Sequence, residues 1–590
     1  FSPDLEIDSP LILPDMETAV GILRQVLDEG GHILLCGDRD VDGVTSVSLL
    51  AHFLKSEQER RGSGSLTLRV SSEGDDYGLT GSFFQEIKEQ KCDLLITLDM
   101  GTSNGAEIQE LRHEGCQVIV LDHHQLGSST WIGDYALVNP VRIHSDYKIA
   151  TVGLAFKFIL AYALSFTREW GVVYTLDGLA FRLGAYVKEP TSLPREELPI
   201  KEYRLGPAEL DLLRKDPEQN GRILFARILA SRPRLFECVV AWTDLVALGL
   251  MTDLVPLRGE NRKLVRLGLG LSPLARKRSF REGLASLMTA QRLDRAELTS
   301  RDLSFSLGPA LNAAGRMGKT EIAVQLLTAR RAEEAREFSS ALLRLNEERK
   351  ARTRENWQIV TDLLESDPVR KERGILFCYD AALKPGVSGI MATRLVEEYR
   401  RPAVFINPDG AHARGSIRRY QEEDVLEILR QSARFFQQYG GHKEAAGFSI
   451  AYDQIDALEN HLARHFRELT SVEKVLNSAH LTLSPAQLTF RTYIELRRLE
   501  PFGQGNPAPL IEVGEVRVTG HTVLKSVHLK FKVASCPAEF VIWHRGGAFI
   551  ASGGLERPVR LWGHLEKNTF AGKRTLQFRV QEYTVLPAPA

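Results

Sequence analysis

Short apolar runs recur along the first third of the chain, and helical periods separate them. His32-Ile33-Leu34-Leu35-Cys36 reads as a buried strand, and a helical pattern follows from Val44 to Lys55. Leu66 to Val70, Asp93 to Leu98 and Gln117 to Leu121 read as three further strands, with a helix from Gly105 to His113 between the last two. Strand-helix alternation predicts a mostly parallel sheet covered on both faces. In such sheets ligands bind at the carboxyl ends of the strands.

The pattern then changes. Residues 166–236 fit no clean period, contain Pro190, Pro194, Pro199 and Pro207, and read as an inserted region. Ala332 to Glu365 is helical throughout, with no Gly or Pro and dense charge, which predicts a strut between domains rather than a core element. Residues 372–470 return to strand-helix alternation: Gly374 to Tyr379, a helix near Gly389 to Tyr399, then Pro402 to Ile406. From Leu499 the chain turns to short strands punctuated by Gly and Pro, the pattern of a small β-barrel. A chain of 590 residues exceeds what one hydrophobic core serves. The expected division is 1–330, an α/β catalytic domain; 331–366, a connecting helix; 367–472, a second α/β domain; and 473–590, a β-barrel domain.

Composition narrows the class. Hydrophobic residues are 43% and charged residues 26%, as in ordinary globular proteins. No apolar run reaches transmembrane length, and Phe1-Ser2-Pro3-Asp4 does not read as a signal peptide. Cys36, Cys92, Cys116, Cys238, Cys378 and Cys536 form no Cys-x-x-Cys pair, so neither a disulfide framework nor a zinc site is expected, and the cytoplasm is the expected compartment. A net charge of −1 is not that of a uniformly basic nucleic-acid binder. An acidic metal cluster and a basic groove elsewhere sum to the same value.

The acids carry the chemistry. The strand ending at Cys36 runs into Gly37-Asp38-Arg39-Asp40-Val41-Asp42-Gly43. The third strand ends in Thr97-Leu98-Asp99, and the fourth in Leu121-Asp122-His123-His124. A later apolar stretch, Leu250-Met251-Thr252-Asp253-Leu254, is read as another strand end. Asp-x-Asp-Gly alone is an ordinary turn. Four such pieces after successive apolar runs predict convergence at one sheet edge. Clustered carboxylates repel unless cations neutralise them. Carboxylate and imidazole without thiolate suit manganese or magnesium. Two such ions roughly 3.5–4 Å apart clamp a phosphoryl group and activate water.

These four motifs resemble those of the DHH phosphoesterases. The resemblance implies Asp40, Asp42, Asp99, His123 and Asp253 as metal ligands, with Asp99 bridging and Asp38 a further ligand. It implies that His124 is a ligand or touches the scissile phosphate, and that Asp122 orients the imidazoles. Several family members carry a His four residues before the first ligand Asp. Here that position is Cys36, and the extra Asp is the pattern of RecJ-like members.

Three further motifs resemble RecJ-like exonucleases. Asn312-Ala313-Ala314-Gly315-Arg316 implies Arg316 as a phosphate ligand; a surface Arg at a helix start is the plain reading of the same residues. Gly440-Gly441-His442-Lys443-Glu444-Ala445-Ala446-Gly447 matches the signature of the DHH-associated domain. Its Gly440 and Gly441 would let backbone approach a phosphate, a following helix would offer N–H groups, and His442 would donate to a phosphate oxygen. Gly415-Ser416-Ile417-Arg418 implies Ser416 and Arg418 as holders of a terminal 5′ phosphate. Ser72 stands where the family carries another Arg, and Leu383-Lys384 replaces a Trp-His pair. Leu499-Glu500-Pro501-Phe502-Gly503 resembles the family's lead-in to an OB-fold, in which Lys530, within His528-Leu529-Lys530-Phe531-Lys532, would contact single-stranded nucleic acid.

The resemblance therefore implies a monomeric 5′→3′ exonuclease releasing 5′ mononucleotides from single-stranded DNA, in repair and recombination. It would use two manganese or magnesium ions and act beside a helicase and a single-strand-binding protein, with no membrane partner. The rival readings are a short-oligonucleotide (nanoRNase-type) or cyclic-dinucleotide phosphodiesterase, and a catalytically dead replication scaffold, which the presence of every acidic ligand disfavours.

Overall fold

A computed structural model describes residues 7–587 apart from 73–77, 127–132, 144–146, 166–173, 177–178, 183–184, 187–232, 273–274, 276–279, 467–479, 526 and 571–572. Most of the inserted region, and Gly74 to Tyr77 of the stretch after Ser72, lie outside the described residues.

The catalytic domain begins with α1 (Met16–Glu29), β1 (His32–Gly37), α2 (Val41–Arg61), β2 (Ser65–Val70), α3 (Gly81–Glu89), β3 (Leu94–Leu98), α4 (Gly105–His113), β4 (Gln117–Leu121), β5 (Ala136–Val138) and α5 (Thr151–Ser165). The sheet order is β2-β1-β3-β4-β5, all parallel. Alternation along β1 divides two cores. Ile33 and Leu35 face the layer of α1, α2 and α5. Leu34 and Cys36 face α3 and α4, through Phe83, Phe84, Ile108 and Leu111. β1 and β3 are sheet neighbours, but the connections that leave them, through α2 to β2 and through α4 to β4, run in opposite directions. That topological switch point opens a crevice beyond their carboxyl ends.

One buried ion pair locks α5 in place. Lys157 Nζ lies 2.6 Å from Glu260 Oε1 and donates to the Asp8 carbonyl at 2.7 Å, while Tyr147 donates to Glu260 at 2.9 Å. Lys157 is fully buried.

The connecting helix, Ala332–Ser366, is 35 residues long, about 50 Å at 1.5 Å per residue. It is more than the strut expected from its charge. Leu342 belongs to the catalytic core, and Val360 and Leu364 to the core of the second domain. That domain holds a five-stranded sheet, in order Phe436–Gly441, Ala445–Ile450, His412–Arg418, Ala403–Asp409, Leu376–Tyr379.

The C-terminal domain is a seven-stranded mixed sheet around Phe531, Phe540, Phe549 and Phe578. It docks on the catalytic domain through both backbone and side-chain groups. Leu257 N–H donates to the Gln504 carbonyl at 2.7 Å, the Arg262 guanidinium to the Leu499 carbonyl at 2.7 Å, and Ser300 Oγ to the buried Glu500 carboxylate at 2.6 Å. Among the described residues no helix is long and apolar enough to cross a membrane.

Removing one partner of the Lys157–Glu260 pair strands the other charge in the core. Glu260→Leu is therefore expected to cost about 3–5 kcal/mol in urea unfolding. Lys157→Met combined with Glu260→Leu should recover most of it; a single-variant loss under about 1 kcal/mol would contradict this account.

Candidate active site

The strand register lines up the first acids. Gly37 pairs with Leu98 and Leu98 with Leu121, so Asp38, Asp99 and Asp122 stand side by side just past the strand ends. The ladder continues through them: Asp38 N–H donates to the Leu98 carbonyl at 3.2 Å and Asp99 N–H to the Leu121 carbonyl at 3.1 Å. Asp40 caps α2, its Oδ1 accepting from Gly43 N–H at 3.0 Å, and Asp42 follows in the first turn. Asp99 sits at φ +64, the left-handed region. That conformation costs an L-residue roughly 1–3 kcal/mol and recurs at functional sites.

Asp253 arrives differently from expectation. It follows the helix Pro233–Thr252, not a strand, and its N–H donates to the Gly249 carbonyl at 2.9 Å. The Met-Thr-Asp run fits either period, and the apolar stretch before it is long enough for a helix crossing the α2 and α5 layer. Gly249 permits that crossing: a Cβ there would lie 2.6 Å from Thr45 Oγ1 and 3.0 Å from Asp42 Oδ1.

His123 gathers the acids from both sources. Its Nε2 lies 3.2 Å from Asp99 Oδ1, 3.8 Å from Asp253 Oδ2 and 4.0 Å from Asp42 Oδ2. His124 Nδ1 lies 2.7 Å from Asp122 Oδ1 and 4.0 Å from Asp99 Oδ1. Ser71 holds Asp38 at 2.8 Å.

Burial and mutual repulsion dominate the electrostatics. Burial, then the neighbouring Asp99 charge, raises Asp40 to about 6. Burial, joined by Asp38 and Asp122, raises Asp99 to about 6. Asp42 and Asp253 are raised too, by burial first, then Asp42 by the Asp99 charge and Asp253 by the Asp42 and Asp99 charges. Burial works against charge on His124, but Asp122 at 2.7 Å and Asp99 overturn it and raise that imidazole to about 10. Burial would also raise Asp122, yet His124 and the Thr102 N–H hold it well below the usual carboxylate range.

The donor set fits divalent cations. Three groups, Asp99/His123/His124, Asp42/His123/Asp253 and Asp38/Asp40/Asp99, each bring ligand atoms within 4.8 Å of one another. Asp253 Oδ2 is buried with no hydrogen-bond partner, a costly state that a cation relieves. Oxygen and imidazole donors suit manganese or magnesium.

The second domain faces this cluster. The His442 and His124 rings stack with centroids 6.0 Å apart and planes 13° apart. No helix follows the Gly-Gly-His signature: Gly440 and Gly441 end one strand, and His442 turns the hairpin, its N–H donating to the Ala445 carbonyl at 2.8 Å. Glycine serves that hairpin, since Gly441 sits at φ +141 and a Cβ would meet Ala445 O at 2.5 Å. Arg316 ends, rather than starts, the helix Gly308–Arg316. The loop at Gly386 packs onto it, so close that a Cβ would lie 2.4 Å from the Arg316 carbonyl. Burial, and then the Arg316 charge, lowers Arg418 to about 10, still charged at neutral pH. Ser416 and Arg418 share a strand whose side chains meet Gly389 at the first turn of the helix Ser388–Tyr399. Lys530 belongs to the C-terminal domain, where it pairs with Glu539 at 2.6 Å and the neighbouring Phe531 fills the core.

Two contributors escaped the sequence reading. Thr151 N–H donates to Asp42 Oδ2 at 2.7 Å, Val152 N–H to Asp42 Oδ1 at 2.9 Å, and Thr151 Oγ1 to Asp99 Oδ1 at 3.0 Å. The N-terminus of α5 thus aims both carboxylates. A Thr opening an apolar helix was the available signal. Gly389 was the other, since a Cβ there would lie 2.6 Å from Arg418 Nη2.

Thr151→Val removes the hydroxyl but keeps the N–H. It is expected to weaken Mn2+ binding, read by paramagnetic resonance, by about tenfold, and Thr151→Ser to restore it. Equal binding by Thr151→Val and the parent protein would refute this role. The raised acids also set a pH dependence. Asp40 and Asp99 hold protons to about pH 6 in the fold, against an ordinary value of 3.8. The metal-free fold therefore binds more protons than the unfolded chain and loses stability as pH rises from about 4 to about 6. The gain in Tm on adding Mn2+ should be small at pH 5 and larger at pH 7.5; a pH-independent gain would contradict this.

Known proteins place the fold and its parts. The DHH family N-terminal domain matches residues 32–175, the DHHA1 domain residues 372–468, and the RecJ OB domain residues 480–582. The single-stranded-DNA-specific exonuclease RecJ of Dickeya dadantii is 28% identical, over 97% of this chain and 90% of its own length. That of Escherichia coli is 28% identical over 96% of this chain and 89% of its own. The crystal structure of Thermus thermophilus RecJ in complex with Mn2+ superposes with a TM-score of 0.70 at 23% identity, covering 98% of this chain and 72% of that one. DHH, DHHA1 and RecJ OB domains thus follow one another along the chain in that order, and the chain is similar to RecJ exonucleases along nearly its whole length.

Proposed function

We propose that this chain is a 5′→3′ exonuclease that degrades single-stranded DNA to 5′ mononucleotides, in DNA repair and recombination. The observation that carries this reading is the juxtaposition of the acid cluster with a cationic pocket across the interdomain cleft. His124 meets His442 at 6.0 Å, and Arg316 reaches the surroundings of Arg418.

Asp38, Asp40, Asp42, Asp99, His123 and Asp253 would hold two divalent ions, manganese or magnesium. When bound, these supply Lewis acidity at the scissile phosphate and a water of lowered pKa. The chain's own groups do the rest. Ser416, Arg418 and the first turn of the helix Ser388–Tyr399 bind a terminal 5′ phosphate, an anion suited to a planar guanidinium and free N–H groups. With that end held, only the first linkage reaches the acids, which makes cleavage exonucleolytic. His124, kept charged by Asp122, presents its other ring nitrogen to the phosphate. Arg316 and His442 stabilise the added charge. Gly440 and Gly441 let the strand approach the hairpin backbone, and Lys530 with the C-terminal domain guides it in. Water adds to phosphorus, the bond to the 3′ oxygen breaks, and the remaining strand keeps a 5′ phosphate. The chain acts as a monomer in the cytoplasm, with a helicase exposing the strand and a single-strand-binding protein beside it.

End-labelled single-stranded DNA with Mn2+ tests this. Asp99→Ala should lower the rate on the order of 10²–10³-fold, the scale for losing one charge-stabilising group. Arg418→Lys should raise KM for 5′-phosphorylated DNA more than for DNA ending in a hydroxyl. Equal degradation by Asp99→Ala and the parent would remove the metal assignment, and release of label from the 3′ end alone would reverse the polarity.

A further inference from the structure

Two loops of the catalytic domain bring cysteines together at the end of the sheet opposite the acids. Each cysteine follows a left-handed residue that turns the chain out of a helix, Lys91 at φ +46 after α3 and Gly115 at φ +94 after α4. The next residue is Cys92 in one loop and Cys116 in the other. β3 and β4 then start in register, with Leu94 beside Gln117, and the Gln117 N–H donates to the Asp93 carbonyl at 2.9 Å. That pairing sets the two sulfurs 3.4 Å apart, although 24 residues separate them along the chain. Both are free thiols.

Such a contact is nearly a bond. Closing it to a disulfide length of about 2.05 Å needs the sulfurs to approach by roughly 1.4 Å. Solvent is also near. Cys92 and Cys116 lie at the margin of the core that holds Phe83, Ile87 and Leu111, and are 9% and 7% exposed. Their neighbours Lys91, Asp93, Glu114 and Gly115 are exposed. Cys36, in the same core, is sealed at 0% and faces Met100 Sδ at 3.8 Å. A small oxidant therefore meets the pair before it meets Cys36.

The two sulfurs are unlike. When protonated, Cys116 donates to the Gln117 carbonyl at 3.2 Å. The hydrogen bond from Cys92 holds the Cys116 thiol below its ordinary range, against burial and with help from the Leu95 N–H and the Arg112 charge. That same hydrogen bond, and then burial, push Cys92 up. The thiolate is the reactive form of cysteine, so Cys116 is placed to attack and Cys92 to resolve.

We propose that Cys92 and Cys116 form a reversible oxidation site, closed to a disulfide by a hydroperoxide and reopened by a thiol reductant. With hydrogen peroxide, the Cys116 thiolate attacks one oxygen. The S–O bond forms, the O–O bond breaks, and the leaving hydroxide takes up the proton that Cys116 gave, as water. Cys92 then attacks the same sulfur. The S–S bond forms, the S–O bond breaks, and the hydroxide leaves with the Cys92 proton as a second water. Each sulfur loses one electron and the peroxide gains two. Two thiols of a reductant reverse this, returning a hydrogen to each sulfur and leaving as their own disulfide. The bond staples β3 to β4, whose far ends carry Asp99 and His123, and it does so whatever the site cleaves.

Peptide mapping tests this on the full-length chain. Native protein is treated with hydrogen peroxide, quenched, alkylated in denaturant and analysed by mass spectrometry. A peptide joining Cys92 to Cys116 should form about tenfold faster than any oxidation of Cys36 or Cys378, and dithiothreitol should remove it. The oxidised protein should melt several degrees higher, because the bond closes a loop in the unfolded chain. Cys92→Ala should leave Cys116 as a sulfenic acid that dimedone traps, and Cys116→Ala should leave Cys92 unmodified over the same time. Absence of the joined peptide from the parent protein overturns the proposal, as does its formation only when oxidant is added to unfolded chain. A melting temperature unchanged or lowered by oxidation overturns the staple, and dimedone trapping of Cys92 in place of Cys116 overturns the assignment of the attacking sulfur. The map of the parent protein decides the first point even where an alanine variant fails to fold.

Discussion

Mutual repulsion among carboxylates is the constraint around which this molecule is organised. Asp38, Asp40, Asp42, Asp99 and Asp253 crowd one crevice, and burial with that crowding raises their affinity for protons. No fold gathers such a set by accident, because each added charge makes the next more costly. The fold offsets the cost with fixed dipoles. Gly43 N–H meets Asp40, the opening of α5 meets Asp42 and Asp99, and Thr102 N–H meets Asp122. Cations complete what those dipoles begin.

The scaffold behind the crevice is built to keep it from relaxing. α5 delivers Thr151, and α5 is itself pinned by Lys157 against Glu260. Gly249 lets a second helix come close enough to bring in Asp253. Orientation of His123 and His124 then follows from the acids they touch. A repulsive cluster is made precise by contacts that lie one layer behind it.

Much of this was legible from the residues alone, and the reason is periodicity. Strands β1, β3 and β4 are uninterrupted apolar runs, because a parallel sheet is buried on both faces, and each is followed at once by an acid. Convergence at one edge follows from that pattern. Asp253 was attributed to a strand because a short window of Leu, Met and Thr does not separate the two periods, and only the length of the preceding apolar stretch decides. The Gly-Gly-His segment was expected to lead into a helix, but glycines there close a hairpin, a choice made by cross-strand pairing with Ala445 and Ala446. Thr151 was illegible because its partners are more than 50 residues away. Nothing local distinguishes a Thr that caps a helix from one that aims a carboxylate.

The connecting helix ties these parts together in phase as well as in space. Leu342 is embedded in one core, Val360 and Leu364 in another, and the helix is continuous between them. An α-helix advances about 100° and 1.5 Å per residue. One residue inserted between Leu342 and Val360 would therefore swing the second domain by more than a quarter of a turn about the helix axis. His442 would leave the face of His124, and Gly386 would leave Arg316. The chain between the two cores thus acts as an angular gauge, in which residue count, rather than residue identity, fixes how the two halves of the cleft address each other.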